Sequence, residues 1–227
     1  MKKLSFLMLG AASLLAITAC GTNDNGRAKF KKEAEKACAQ ESEHNYATIT
    51  MSIHSVVTGY PGREDVDQTK DYEYHFALEE VEGEEETEGE EETTSTEWVC
   101  HDDIPEGDEQ QAQNVQMVTS YLSTNALLAV ESIEAMDGQE ILPGMKQSYK
   151  FFVEPLRIYS KMTMKQSESG MTTVMSVEGT ETFNQFGEVV LVEATQSQTI
   201  KGSMSGVTID MSSNSTLLIG ITYALVA

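Results

Sequence analysis

The chain is short of positive charge, of cysteine and of every common catalytic signature. Among its 227 residues, 15 are Lys or Arg and 37 are Asp or Glu, a net charge of −22. Nucleic acid is thereby excluded as a partner, because phosphate binding needs a basic footprint. No HExxH, GxSxG, P-loop or GxGxxG segment occurs, and no serine stands in a nucleophile context, so the chain does not read as an enzyme. No resident metal or cofactor is expected. After residue 19 no apolar run reaches the roughly 20 residues of a membrane-spanning helix. Three cysteines are too few for a disulfide framework.

What is present begins with a leader. Met1-Lys2-Lys3 is a basic start, Leu4 to Ile17 an apolar run, and Ile17-Thr18-Ala19-Cys20 its end. This arrangement resembles a bacterial lipoprotein signal. The resemblance implies cleavage of residues 1–19 and lipidation of the new N-terminal Cys20. It places the protein outside the cytoplasm, anchored in the cell membrane or outer membrane. Gly21, where an Asp would favour inner-membrane retention, points to the outer membrane in a cell that has one. The mature chain then holds 13 basic and 37 acidic residues, net −24, and Arg27, Lys29, Lys31, Lys32 and Lys36 crowd just behind the anchor. Basic residues so placed are drawn to anionic headgroups by about 1 kcal/mol each, while the acidic body is held outward.

Residues 20–26 read as a lipidated polar tether and 27–227 as a single α+β domain, long enough to bury most of its apolar surface. Arg27 to Glu41 is predicted helical, with Phe30, Ala34, Ala37 and Cys38 on one face. From Ala47 the period becomes two: Ile49, Met51 and Ile53 alternate with polar residues. Further strands are expected over Tyr72–Leu78 and Thr94–His101, with an acidic loop at 79–93 between them. Ten of residues 79–92 are glutamate, too self-repelling to order without a partner. Asp108, with Gln111 three residues on, caps a helix running to Gly138 and Pro143, its inner stripe Val118, Leu122, Ala126, Ala129, Ile133 and Met136. The C-terminal part reads as an antiparallel meander with turns at 167–170, 184–187, 205–206 and 213–215. The expected fold is a curved, mostly antiparallel sheet, half-barrel or open barrel, packed on two helices.

Two questions stay open at this level. Cys38 and Cys100, in an exported setting, are a possible disulfide closing about 60 residues and worth up to about 4 kcal/mol. His101-Asp102-Asp103 is a hydrophilic strand end in which a metal site is not expected. Seven methionines fall in predicted strands, mostly on the apolar faces. Such a flexible, polarizable wall adapts to varied apolar ligands or fills a core.

The order lipobox, tether, short helix, Thr/Ile/Met strands, amphipathic helix and meander resembles envelope lipoproteins of the LolA/LolB and LppX/LprG-like kind. Tyr46 to Met51 and Lys161 to Lys165 are the nearest local echoes. That resemblance implies a non-enzymatic module holding a lipid or other hydrophobic ligand between sheet and helices. The candidate contacts are Met51, Ile53, Leu122, Ile133, Met162, Met164, Met175 and Met211. The alternative is a surface-exposed structural lipoprotein with a dry core, recognising a protein partner through its acidic loop.

Overall fold

The computed structural model describes residues 26–62, 64–82, 94–136, 144–204 and 207–226. The leader, Cys20, most of the tether, the acidic run at 83–93, Gly138, Pro143 and the 205–206 turn lie outside the described residues.

Helix α1 spans Arg27–Cys38; strands β1 (Tyr46–Thr58), β2 (Val66–Glu82) and β3 (Thr94–Cys100) follow. Helices α2 (Glu109–Leu122) and α3 (Ala126–Met136) come next. The chain ends in β4 (Met145–Val153), β5 (Leu156–Glu168), β6 (Met171–Phe183), β7 (Val189–Met204) and β8 (Val207–Ala224). All eight strands form one antiparallel sheet in the order β3-β2-β1-β8-β7-β6-β5-β4, open rather than closed into a barrel. The curved α+β architecture expected from the alternation is what the chain adopts.

Three expectations change, and one open question is answered. Three helices pack on the sheet instead of two, because the segment from 109 breaks at Ser123-Thr124-Asn125. There Asn125 Oδ1 accepts from the Leu127 and Leu128 amides at 3.0 and 2.9 Å and starts a new helix. The acidic loop does not begin at 79, since Glu79 and Glu80 pair with Glu97 and Thr96 inside the β2–β3 ladder. Ser213-Asn214-Ser215 is no turn. β8 runs through it, bound on one side to β1 and on the other to β7, and Ser215 Oγ lies 3.2 Å from Ser55 Oγ. As to the pairing left open for Cys38 and Cys100, both are free thiols. Cys38 sits where a side chain at Gly187 would be, and Cys100 turns toward Asp102 at 3.9 Å, so each has a different neighbour.

The core lies between the helices and one face of the sheet. Phe30, Ala34 and Ala37 of α1 are buried, with the Phe30 ring 5.5 Å from Phe151 and 6.1 Å from Phe183. Asp108 caps α2 as expected, accepting from the Gln111 amide at 3.1 Å while the Gln111 side chain returns a bond at 2.9 Å. Val118, Tyr121 and Leu122 of α2 and Ala126, Ala129, Val130 and Ile133 of α3 meet Ile49, Met51, Tyr74, Val192 and Ile219 of the sheet. Among the described residues the buried cluster runs from Phe30 to Ile221.

Candidate functional site

Residues paired across an antiparallel ladder share a face, and here the register links all eight strands. On the helix side, one line runs Tyr72, Met51, Ile219, Val192, Glu181, Ile158, Phe151. Four residues further along the strands, a second runs Ser55, Ser215, Gln196, Val177, Met162, Gln147. Two residues beyond that, a third runs Val57, Ser213, Gln198, Met175, Met164, Met145.

Helix and strand lengths decide which of these lines is covered. The 14 residues of α2 reach about 21 Å at 1.5 Å each, whereas the 18 residues of β8 reach about 60 Å at about 3.3 Å each. The sheet therefore outruns its helices. Met51, Ile53, Leu122 and Ile133 belong to the packed core, and Met162 is buried next to it. Met164, Met175 and Met211 are half-buried and stand outside the core cluster, as do Met145, Val177 and Ile200 on the same face. The eight candidate contacts thus divide into five buried beneath or beside the helices and three on the outlying part of the face.

Glu181 gave no sign of itself in the sequence. It sits in the first line between Val192 and Ile158, 7% exposed, and burial pushes its carboxyl up to about 7. Tyr121 of α2, 1% exposed, senses that carboxyl, and burial raises its phenol far above the ordinary range. Neither Glu181 Oε2 nor Tyr121 Oη has a hydrogen-bond partner among the described residues. A carboxyl in this setting is neutral over the acidic range, because ionising it without a partner would cost more than losing the proton gains.

Two further polar clusters among the described residues hold residue types found in catalytic or metal sites, and their geometry differs from those sites. Ser42, His44 and Glu188 include the residue types of a hydrolase relay. However, Ser42 Oγ and Glu188 Oε2 both approach the same His44 nitrogen, Nδ1, at 2.8 and 3.0 Å. A relay needs the acid on one ring nitrogen and the nucleophile on the other. Moreover, Ser42 Oγ donates directly to Glu188 Oε1 at 2.7 Å. The ring is packed instead, stacked on Tyr223 at 5.6 Å and edge-on to Phe186 at 5.4 Å.

At the 101–103 strand end the donors diverge. His101 Nε2 pairs with Glu79 at 2.7 Å, and Asp102 accepts from the His75 amide at 2.5 Å and meets His75 Nδ1 at 3.1 Å. Among the described residues, no three His, Cys, Asp or Glu side chains converge as a metal site. Among the described residues no helix is long and apolar enough to cross a membrane.

The opposite face of the sheet carries an open groove of about 510 Å³. Leu191, Leu218 and Gly220 of β7 and β8 line one side of it and the carboxylates Asp71 and Glu73 of β2 the other, with Thr50 and Ser52 of β1 between them. This is where the two-sided apolar character of Val189 to Ala194 goes: Val189 and Val192 enter the core, while Leu191 stays in the groove. Compared with protein-family models and with curated proteins, the chain matches none.

Proposed function

We propose that the chain is a lipid-anchored envelope lipoprotein, held through Cys20, that binds an acyl chain or similar hydrophobic ligand without catalysis. The observation that carries this reading is the line Met175, Met164, Met145, three methionines at paired positions on neighbouring strands, half-buried on the helix side of the sheet. Met211 and Ile200, paired on β8 and β7, extend it. Full burial of a methionine is worth about 1.5–3 kcal/mol, so a chain covering the exposed part of three, about a third of each at most, gains no more than about 3 kcal/mol. Unbranched side chains adjust to ligands of differing length and unsaturation. The ligand lies beyond the helices, since Met51, Ile53, Leu122 and Ile133 are used in packing.

The test is extraction and mass spectrometry of lipid from the purified protein, beside a variant with Met164→Lys and Met175→Lys. Co-purified acyl lipid approaching one per chain, lost in the variant, is the expected result. A wild-type protein that carries none and takes up none from mixed micelles overturns the proposal. That outcome favours the rival, a dry-cored lipoprotein that recognises a partner, for which the packing of those four residues speaks.

A further inference from the structure

The charge distribution points to a membrane-docking edge, which we propose is formed by β4, β5 and α1 and fits an anionic lipid surface. The chain is acidic overall, yet ten of the 13 basic residues after position 19 fall on these three elements. Register places Lys146 and Lys150 of β4 and Arg157, Lys161 and Lys165 of β5 together on the face away from the helices. On the helix side α1, which packs on β4 and β5, adds Arg27, Lys29, Lys31, Lys32 and Lys36. Cations thus flank the edge strand from both sides.

Carboxylates are present but fewer. Glu178 is bonded to Lys161, Glu33 to Lys36 at 2.7 Å, and Glu134 to Lys31 at 2.6 Å, with Glu131 3.7 Å from the same Lys31. Glu154 lies in the β4–β5 turn, Glu168 at the far end of β5 and Glu35 on α1. Aromatic rings sit among the cations as they do at bilayer surfaces. Arg157 stands 4.3 Å over the ring of exposed Phe152, and Lys150 stands 5.6 Å over Tyr159. Such pairs keep a charge at headgroup level while the ring and methylene stem take the less polar side.

The position of the chain's entry into the fold gives a second, independent argument. Gly26 lies against β4: a Cβ there would be 3.0 Å from the Phe151 carbonyl oxygen. Six residues lead from Cys20 to Gly26 and reach at most about 20 Å. An anchor at Cys20 therefore holds the β4 edge, and not the opposite β3 edge, next to the bilayer. This second argument rests on the proposed anchor; the charge argument does not, and neither depends on a bound acyl chain.

The experiment uses the unanchored chain from Gly26 onward in vesicle flotation, with folding checked by thermal melting. Each basic residue near an anionic surface strengthens association roughly fivefold. The wild-type chain is expected to float with vesicles of one part phosphatidylglycerol to two of phosphatidylcholine at low salt. It should stay behind with phosphatidylcholine alone or at 0.5 M salt. Lys146→Glu, Lys150→Glu and Lys165→Glu together should lower binding by on the order of a hundredfold. Lys70→Glu with Lys201→Glu, off the edge, should leave it within a few-fold. Equal flotation of the triple variant, equal binding to neutral vesicles, or binding to a soluble polyanion such as heparin without binding to vesicles would each overturn the proposal. Lipid extraction on the same preparation reports on the acyl-chain reading separately.

Discussion

Replacing Glu181 by Gln should change how the stability of the protein depends on pH. In the unfolded chain the carboxyl titrates near its ordinary 4.5; in the fold, burial raises it to about 7. The folded state therefore keeps a proton that the unfolded state has already released. Stability from this group is complete below about 4.5, declines as pH rises toward 7, and is flat above. The shift is about 2.5 units, which at 1.36 kcal/mol per unit is about 3 kcal/mol lost between acid and neutral pH. Glutamine keeps the size and the neutral character but cannot ionise, so the variant loses the slope. Urea melts of both proteins at intervals from pH 4 to 8 isolate the effect, because every other titrating group cancels in the difference. Near pH 4.5 the two should agree within about 1 kcal/mol. At pH 7.5 the glutamine variant should be the more stable by about 3 kcal/mol, a rise in Tm of about 6–12 °C for a chain of this size. A constant difference across the range would refute the reasoning, since it would place an ionised or well-solvated carboxyl at 181.

Tyr121→Phe removes a buried hydroxyl without a partner among the described residues, so the same melts should show no loss and up to about 1 kcal/mol of gain. A loss above about 2 kcal/mol would mean that the hydroxyl is bonded. The free Cys38 and Cys100 predict two reactive thiols per chain from Gly26 onward in denaturant without reductant, and none would establish a disulfide. In the native protein Cys100 should alkylate slowly at pH 8, because burial pushes its thiol up.

Local pattern made much of this architecture legible, and the misreadings share one cause. Alternation over Ile49, Met51 and Ile53 and the cap at Asp108 with Gln111 are decided within a few residues, and both hold. The helix break at Asn125 escaped because Leu122, Ala126, Ala129 and Ile133 keep helical spacing straight across it. Its only local sign was three successive capping residues. Ser213-Asn214-Ser215 has turn composition, but two neighbouring strands supply ladder bonds that composition cannot register. Glu181 lies in Thr180-Glu181-Thr182, polar in every position. Only its pairing with Val192 and Ile158 puts it in the core. The methionine face was visible residue by residue. Which methionines are packed and which stay half-exposed follows from the ratio of helix to strand length, a property of the assembled layers.

The lysines of β4 have a second physical explanation, and the two can be separated. An open sheet leaves the outer backbone groups of its edge strands unpaired, and charged side chains there discourage pairing with another chain. β4 is such an edge, nine residues long against seven for β3. Lys146 and Lys150 suffice for that task. Arg157, Lys161 and Lys165 do not serve it, because β5 is paired on both sides. The basic face is thus wider than edge protection requires. Charge of either sign protects an edge, whereas only positive charge attracts an anionic bilayer. Lys146→Glu with Lys150→Glu should therefore leave the sedimentation behaviour of wild type unchanged while weakening vesicle binding about 25-fold or more. Lys146→Thr with Lys150→Thr should weaken both, giving concentration-dependent self-association in sedimentation velocity. If the threonine pair sediments as wild type does, the two lysines have no part in protecting the edge. If the glutamate pair self-associates, the like-charge argument fails at this strand.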